Sequence, residues 1–205
     1  MIFLKVGPKN IFQISRIASL SLKRGQVLIC PTDTVYGLIA NAKDKKAVKR
    51  LLLVKKKQNE TLPVFIKDLK AAKKLAKINK NQEIFLKKFW PGKVTAVLQK
   101  RSRIKIFDGG QNKIGLRVPN NVLINNILKI TNLPLIGTSA NISGQESSYK
   151  IKEVVKQFEK QKIKPDLVLD AGNLKKSKTS TVIDLTLKNI KVIRKGAVKI
   201  HEKES

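Results

Sequence analysis

Acidic residues are scarce in this chain. Its 205 residues carry 14 Asp and Glu against 44 Lys and Arg, a formal net charge of +30. Histidine and cysteine are scarcer still, with one of each, and aromatics make up 5%. Each shortage excludes something. The one histidine, His201, stands at the chain's end, so a Ser-His-Asp or Cys-His engine would need its base on a loose tail. A single cysteine, Cys30, forms no disulfide within the chain and no Cys/His zinc cluster, and it permits a reducing compartment. Few aromatics leave little for stacking nucleic-acid bases. No apolar run approaches the ~20 residues of a membrane span. Met1 to Lys5 lacks a basic region followed by a long apolar stretch, so no signal peptide is expected and a cytoplasmic location is.

What is present suffices for a core: 41% of residues are hydrophobic, which rules out a wholly disordered basic tail. Lys, Arg, Ser, Thr, Asn and backbone groups remain as the chemical toolkit, and they suit anions better than proton shuttling. Asn10 predicts a helix cap, with Ile11, Ile14, Ile17 and Ala18 on one face and Gly25 as the stop. Asp44 predicts another, carrying Ala47, Val48, Leu51, Leu52 and Lys55. Leu69, Ala72, Leu75 and Ala76 mark a third helix, and Ile84, Phe85, Lys88 and Phe89 a fourth, broken by Trp90-Pro91-Gly92. A fifth opens at Asn120 or Asn121, and Ile151, Val154, Val155 and Phe158 give a sixth. Strands are expected at 27–30, 62–66, 94–98, 114–118, 135–138, 167–169, 181–185 and 190–193. The alternation, without repeat or linker, predicts one mixed α/β domain over residues 1–205, with a mobile tail from 197.

Neither Gly-x-Gly-x-x-Gly after a strand nor Gly-x4-Gly-Lys-Ser/Thr occurs. Instead, polar segments flank short strands at 31–37, 138–144 and 178–181. In open α/β sheets ligands gather at strand ends, and hydroxyls and amides there can meet phosphate or carboxylate oxygens. The same residues also make ordinary turns. Lys55-Lys56-Lys57 closes the second helix, where cations can simply compensate the helix dipole. Lys55 and Lys57 cannot share one helical face, so both reach a ligand only if the helix ends between them.

Taken together, these segments resemble the YrdC-type threonylcarbamoyl-AMP synthase family. The resemblance rests on Pro31-Thr32-Asp33-Thr34-Val35-Tyr36-Gly37-Leu38, Lys55-Lys56-Lys57, Trp90-Pro91-Gly92-Lys93-Val94-Thr95 and Gly115-Leu116-Arg117-Val118-Pro119. It continues through Thr138-Ser139-Ala140-Asn141-Ile142-Ser143-Gly144, Ser180-Thr181-Val182-Ile183-Asp184 and Arg194-Lys195-Gly196-Ala197. The seven stand in the family's order and run from about residue 27 to 197. The resemblance implies a twisted mixed sheet flanked by helices, with a basic concave cleft. It implies that L-threonine, bicarbonate and ATP are joined into threonylcarbamoyl-adenylate, with pyrophosphate released. Partner proteins then move the threonylcarbamoyl group to tRNA beside the anticodon.

The site roles follow from the same resemblance. Lys55 and Lys57 would face the phosphates and the carbamate, and Ser139 and Asn141 would hold carbamoyl and phosphate oxygens. Thr34, Arg117, Thr138 and Ser180 would bind threonine, Arg117 through its carboxylate, and Arg194 would complete the nucleotide side. Thr32, Tyr36, Ser143 and Thr181 would wall the pocket. Mg2+ would arrive with ATP, with no metal ligand assigned to the protein. The chain departs from the family in having Lys57 for the usual Arg, a shortened stretch at 58–63, and Lys113 where Thr is common. Ending soon after Gly196, it reads as the short form. The surplus of positive charge is expected to give weak, non-specific contact with tRNA or double-stranded RNA. Two other readings exist: a YciO-like RNA-binding or ribosome-maturation protein without adenylation activity, and a carbamoyl-transfer module like part of a hydrogenase-maturation protein.

Overall fold

The computed structural model describes residues 1–58, 61–102 and 104–200. His201 and the rest of the expected tail beyond 200 lie outside the described residues, as do Asn59 and Glu60 of the shortened stretch. In chain order the elements are β1 (Ile2–Lys5), α1 (Ile11–Lys23), β2 (Leu28–Cys30), β3 (Gly37–Asn41), α2 (Lys45–Lys55) and β4 (Val64–Phe65). Then come α3 (Leu69–Leu75), β5 (Ala76–Lys77), α4 (Lys80–Phe89), β6 (Val94–Lys100), β7 (Lys113–Arg117) and α5 (Val122–Thr131). The chain continues through β8 (Leu135–Ser139), α6 (Ile151–Glu159), β9 (Leu167–Asp170), β10 (Thr181–Asp184) and β11 (Lys191–Arg194).

Local chemistry sets the helix starts. Asp44 accepts from the Lys46 and Ala47 amides, and Asn121 from the Ile124 amide, each satisfying donors that open a helix. Asn79 and Gln82 form a reciprocal capping box at α4. Asn10 does not cap α1: its side chain accepts from the Gly7 amide and donates to the Lys5 carbonyl instead. The buried face of α1 is also rotated from the expected one. Ser15 and Ser19 are inside, their hydroxyls satisfied by the carbonyls of Ile11 and Ser15, while Ile17 is exposed. On α4, likewise, Phe85 and Leu86 are buried and Ile84 faces out. The face of α6 is the expected one, Ile151, Val154, Val155 and Phe158.

All the strands join one mixed sheet in the order β1-β9-β2-β3-β8-β4-β7-β6-β10-β11, with β5 added on β6. The mixed α/β expectation therefore holds. Strands β1, β3 and β5 are additions to the elements read from sequence, and β4 is shorter than its expected 62–66. Helices α2, α3, α4 and α6 pack on one face of the sheet, against Ile29, Leu38, Val64, Ala96, Leu116 and Ile183. On the other face α1 and α5 cover only one half, against Leu28, Cys30, Ile39, Phe65, Leu135 and Leu167. Beyond Phe65 no helix continues that layer among the described residues, and β7, β6 and β10 form the floor of a cleft. At the C-terminal side, the Ala197 amide donates to Thr179 O, and the Val198 amide donates to Thr181 Oγ1.

Candidate active site

The cleft is a cavity of about 450 Å³. Its floor follows from the two-residue period of strands. Lys113, Gly115 and Arg117 point into it from β7, Thr95 and Val97 from β6, and Val182 and Asp184 from β10. From β8 come Gly137 and Ser139. Gly137 cannot be replaced without movement, because a Cβ there would lie 2.3 Å from the Phe65 ring. That ring in turn supports Arg117, whose guanidinium carbon is 5.7 Å from its centroid.

Arg117 is locked in place. Its Nη2 donates to Asp33 Oδ1 at 2.7 Å and its Nε to Gly92 O at 2.9 Å. The second Asp33 oxygen accepts the Asn120 amide. Burial pulls the Arg117 pKa down, the Asp33 charge and hydrogen bond oppose it, and Arg194 adds to the lowering. Asp33 thus joins the loop after β2 to the end of β7.

Helix α2 ends where two lysines could diverge. Lys56 takes a left-handed conformation (φ 52°), and the Lys56 and Lys57 amides turn back to Leu53 O and Leu52 O. Lys55, the last helical residue, is buried at 4% exposure. Its Nζ donates to Ser139 O at 3.0 Å and to Asn141 Oδ1 at 3.1 Å, with Asn141 O at 3.2 Å and Ser139 Oγ at 3.5 Å. Ser139 Oγ also donates to Asn141 Oδ1, while Asn141 Nδ2 donates to the carbonyls of Ile142 and Gln145. The ammonium is therefore the centre of the loop at 139–145. Lys57 follows, half-buried, beyond the helix end.

Hydroxyls line the remaining walls. Thr32 and Thr34 share a hydrogen bond at 2.9 Å, and Thr95 and Ser180 another at 3.0 Å. Arg194 donates from Nε and Nη2 to Ser180 O and from Nη2 to Ser180 Oγ. Tyr36 donates to Gly172 O and accepts the Ala171 amide, tying the opening loop to the segment after β9. Burial pushes its phenol up to about 12. Lys113 Nζ meets Asp184 Oδ2 at 2.9 Å. Burial alone would raise Asp184, but hydrogen bonds from Thr186 and the Lys113 charge hold it below the usual carboxylate range.

Of the residues expected at the site, Thr32, Thr34, Tyr36, Arg117, Thr138, Ser139, Ser180 and Arg194 line the cavity. Lys55 and Asn141 stand behind Ser139 and shape its loop, outside the lining. The Ser143 amide donates to Lys55 O and the Thr181 hydroxyl to Val198 O, and neither residue is in the lining. Lys57 is not in the lining either. Sequence reasoning passed over Thr61, Phe65, Thr95 and Asp184, although Thr95 and Asp184 lay inside recognised segments and share strand parity with Val97 and Val182. Among the described residues no group of three or more His, Cys, Asp or Glu could hold a metal ion.

A second concavity, of about 940 Å³, lies apart from the cleft beside α3 and the end of α5. It is rimmed by Lys43, Lys67, Lys70, Lys74 and Lys105 over a floor that includes Leu75, Ile104 and Leu133.

A family model for Sua5, YciO and YrdC proteins, described as "Telomere recombination", matches residues 21–196. A Methanocaldococcus jannaschii protein is 36% identical over 179 residues, which is 87% of this chain and 83% of that one. The threonylcarbamoyl-AMP synthase of Pyrococcus abyssi is 33% identical over 192 residues, 92% of this chain; the chain spans 56% of that relative's length. Among solved structures, P. abyssi Sua5 complexed with L-threonine superposes with a TM-score of 0.85 at 32% identity, over 95% of this chain and 57% of that one. Escherichia coli YciO superposes with a TM-score of 0.83 at 25% identity, over 97% and 96%.

Proposed function

The chain belongs to the Sua5/YciO/YrdC family, and on that premise we propose that it is an L-threonylcarbamoyladenylate synthase, a nucleotidyltransferase that uses L-threonine, bicarbonate and ATP. The amine of threonine takes up bicarbonate as an N-carboxylate with loss of water. A carbamate oxygen then attacks the α-phosphorus of ATP, the bond to the β-phosphate bridging oxygen breaks, and pyrophosphate leaves. The observation that carries this reading is the convergence of segments 32–37, 113–117, 137–139, 179–184 and 193–194 on one cavity that presents fixed cations and hydroxyls.

The residues fit the electrostatics of the reaction. An amino-acid carboxylate, a carbamate and a triphosphate repel one another by roughly 4 kcal/mol per unit-charge pair at 4 Å in a near-surface dielectric. Arg117, held by Asp33 and Gly92, offers a pre-set positive group to the threonine carboxylate. The hydroxyls of Thr34, Thr138 and Ser180 lie in the same cavity to orient the amino acid. Ser139 faces the phosphates and the carbamate, with the Lys55 ammonium fixed directly behind it. Lys57 and Arg194 take the nucleotide side. Positioning and charge supply the catalysis, as phosphoryl-type transfer requires. Mg2+ enters as part of the ATP substrate. Downstream proteins pass the threonylcarbamoyl group to tRNA, and the lysine-rimmed second concavity offers RNA phosphates a weak, sequence-independent contact. No helix among the described residues is long and apolar enough to cross a membrane.

An omission series tests the reading. Pyrophosphate release should require ATP, L-threonine and bicarbonate together. Release that ignores threonine would overturn the synthase reading, and none with all three present would put the chain with a YciO-like role lacking adenylation.

A further inference from the structure

We propose that Lys100 and Asp108 are positioning residues for the cleft: this buried pair holds the wall at 61–63 in place beside Ser139. Its effect on turnover rests on the synthase reading above. β4 spans only Val64 and Phe65, so the residues leading into it stand outside the paired ladder. Val64 pairs with Ile136 and Phe65 with Leu135. Counting back from these pairs sets Pro63 beside Gly137 and Thr61 beside Ser139, with backbones about 5 Å apart. Thr61, Leu62 and Pro63 all line the cavity. Pro63 O accepts the Gly137 amide, but proline has no amide to donate in return. The Leu62 amide donates to Asp108 O at 2.7 Å. The wall therefore takes its position from residue 108.

Asp108 lies between β6 and β7, in a stretch without helix or strand among the described residues. Lys100, the last residue of β6, fixes it there. Lys100 Nζ donates to Asp108 Oδ1 at 2.7 Å, to Gly110 O at 3.1 Å and to Ile106 O at 3.4 Å, which occupies all three ammonium donors. The Lys100 side chain is 9% exposed and that of Asp108 0%. Stability alone does not account for such a pair. Desolvating two charges offsets their attraction, and an apolar pair of similar volume is often as stable. Asp108 Oδ2 adds to the cost, being buried with no hydrogen-bond partner among the described residues. Burial accordingly raises the Asp108 pKa, against the opposing pull of Lys100. An apolar pair would lose the grip on the carbonyls of Ile106 and Gly110, and with it the turn that presents Asp108 O to Leu62. Arg117 has its own anchors on Asp33 and Gly92.

The test compares wild type with Lys100→Met, Asp108→Leu and the double variant, by melting temperature, amide hydrogen exchange and initial rates. Each single change leaves a buried charge unpaired and should lower the melting temperature; the double variant should recover it. In the recovered double variant the Leu62 and Gly137 amides should exchange at least about tenfold faster, while those of β2 and β9 stay as in wild type. Its kcat should remain at least about tenfold low, with the threonine KM within about twofold. Wild-type protection at Leu62 and Gly137, or wild-type kcat in the double variant, overturns the proposal and leaves the synthase reading standing. Exchange accelerated equally across the whole sheet also overturns it, since the pair then only holds the fold. Local acceleration at the wall in a protein whose wild type releases no pyrophosphate overturns the synthase reading and keeps the positioning of the wall.

Discussion

At the residue scale, Lys55 and Asp33 hold other groups in place. Lys55 is almost wholly buried among four oxygens of Ser139 and Asn141. Replacing it with Met strips a cation from those acceptors, which costs about 1–3 kcal/mol of stability. Lys55→Met and Asn141→Ala should each lower turnover at least about tenfold, equivalent to ~1.4 kcal/mol in the barrier. Full turnover in either folded variant would refute the role given to the loop. Asp33→Asn removes the carboxylate from a buried arginine. Denaturant titration should register a loss of about 3 kcal/mol, and the threonine KM should rise while that of ATP moves little. Tyr36 gives a pH dependence. Its phenol is pushed up to about 12, whereas an exposed phenol titrates near ~10. The unfolded chain ionises first, so stability held by the neutral phenol is intact below about pH 10 and is lost as pH rises toward the folded value. Thermal melts of Tyr36→Phe should show a shallower decline across that alkaline window.

At the element scale, the cleft depends on what covers the sheet and what does not. Gly137→Ala would drive a Cβ into the Phe65 ring, which supports Arg117. It should destabilise the fold by about 1–3 kcal/mol and weaken threonine use, measured as a drop in kcat/KM. An alanine variant as stable and active as wild type would contradict that chain of contacts. Much of this scale was legible in the sequence. The apolar spacing of α6 named its buried face, and Asp44 named the start of α2. The recognised segments brought Arg117, Ser139, Ser180 and Arg194 to one cavity. Other parts had no local signal. β3 follows its loop without a break, and its apolar run, Leu38-Ile39-Ala40, is only three residues long, too short to mark a strand by periodicity. β1 leaves Ile2 and Phe3 exposed, and β5 is two residues directly after α3. Ser15 and Ser19 rotate the buried face of α1 because backbone carbonyls satisfy their hydroxyls, a solution that hydropathy alone does not report. Cavity residues such as Phe65 and Thr61 owe their place to pairing between strands far apart in sequence.

At the scale of the whole molecule, the net charge of +30 sets how anions approach. Binding of a short RNA duplex should weaken steeply with salt, by about 0.7–0.9 in log–log slope for each phosphate neutralised. Charge reversal at Lys70 and Lys74, on the rim of the second concavity, should flatten that slope. Affinity indifferent to ionic strength would remove RNA from the account. The same excess charge, focused by the cleft, lets three mutually repelling substrates meet. Incubation with 13C-bicarbonate, L-threonine and ATP labelled at the α-phosphate, followed by mass spectrometry, tests this most directly. One product carrying threonine, the 13C carbon and the labelled phosphate in equal proportion is the predicted result. Labelled AMP or ADP without the 13C carbon, or no labelled product at all, would contradict it.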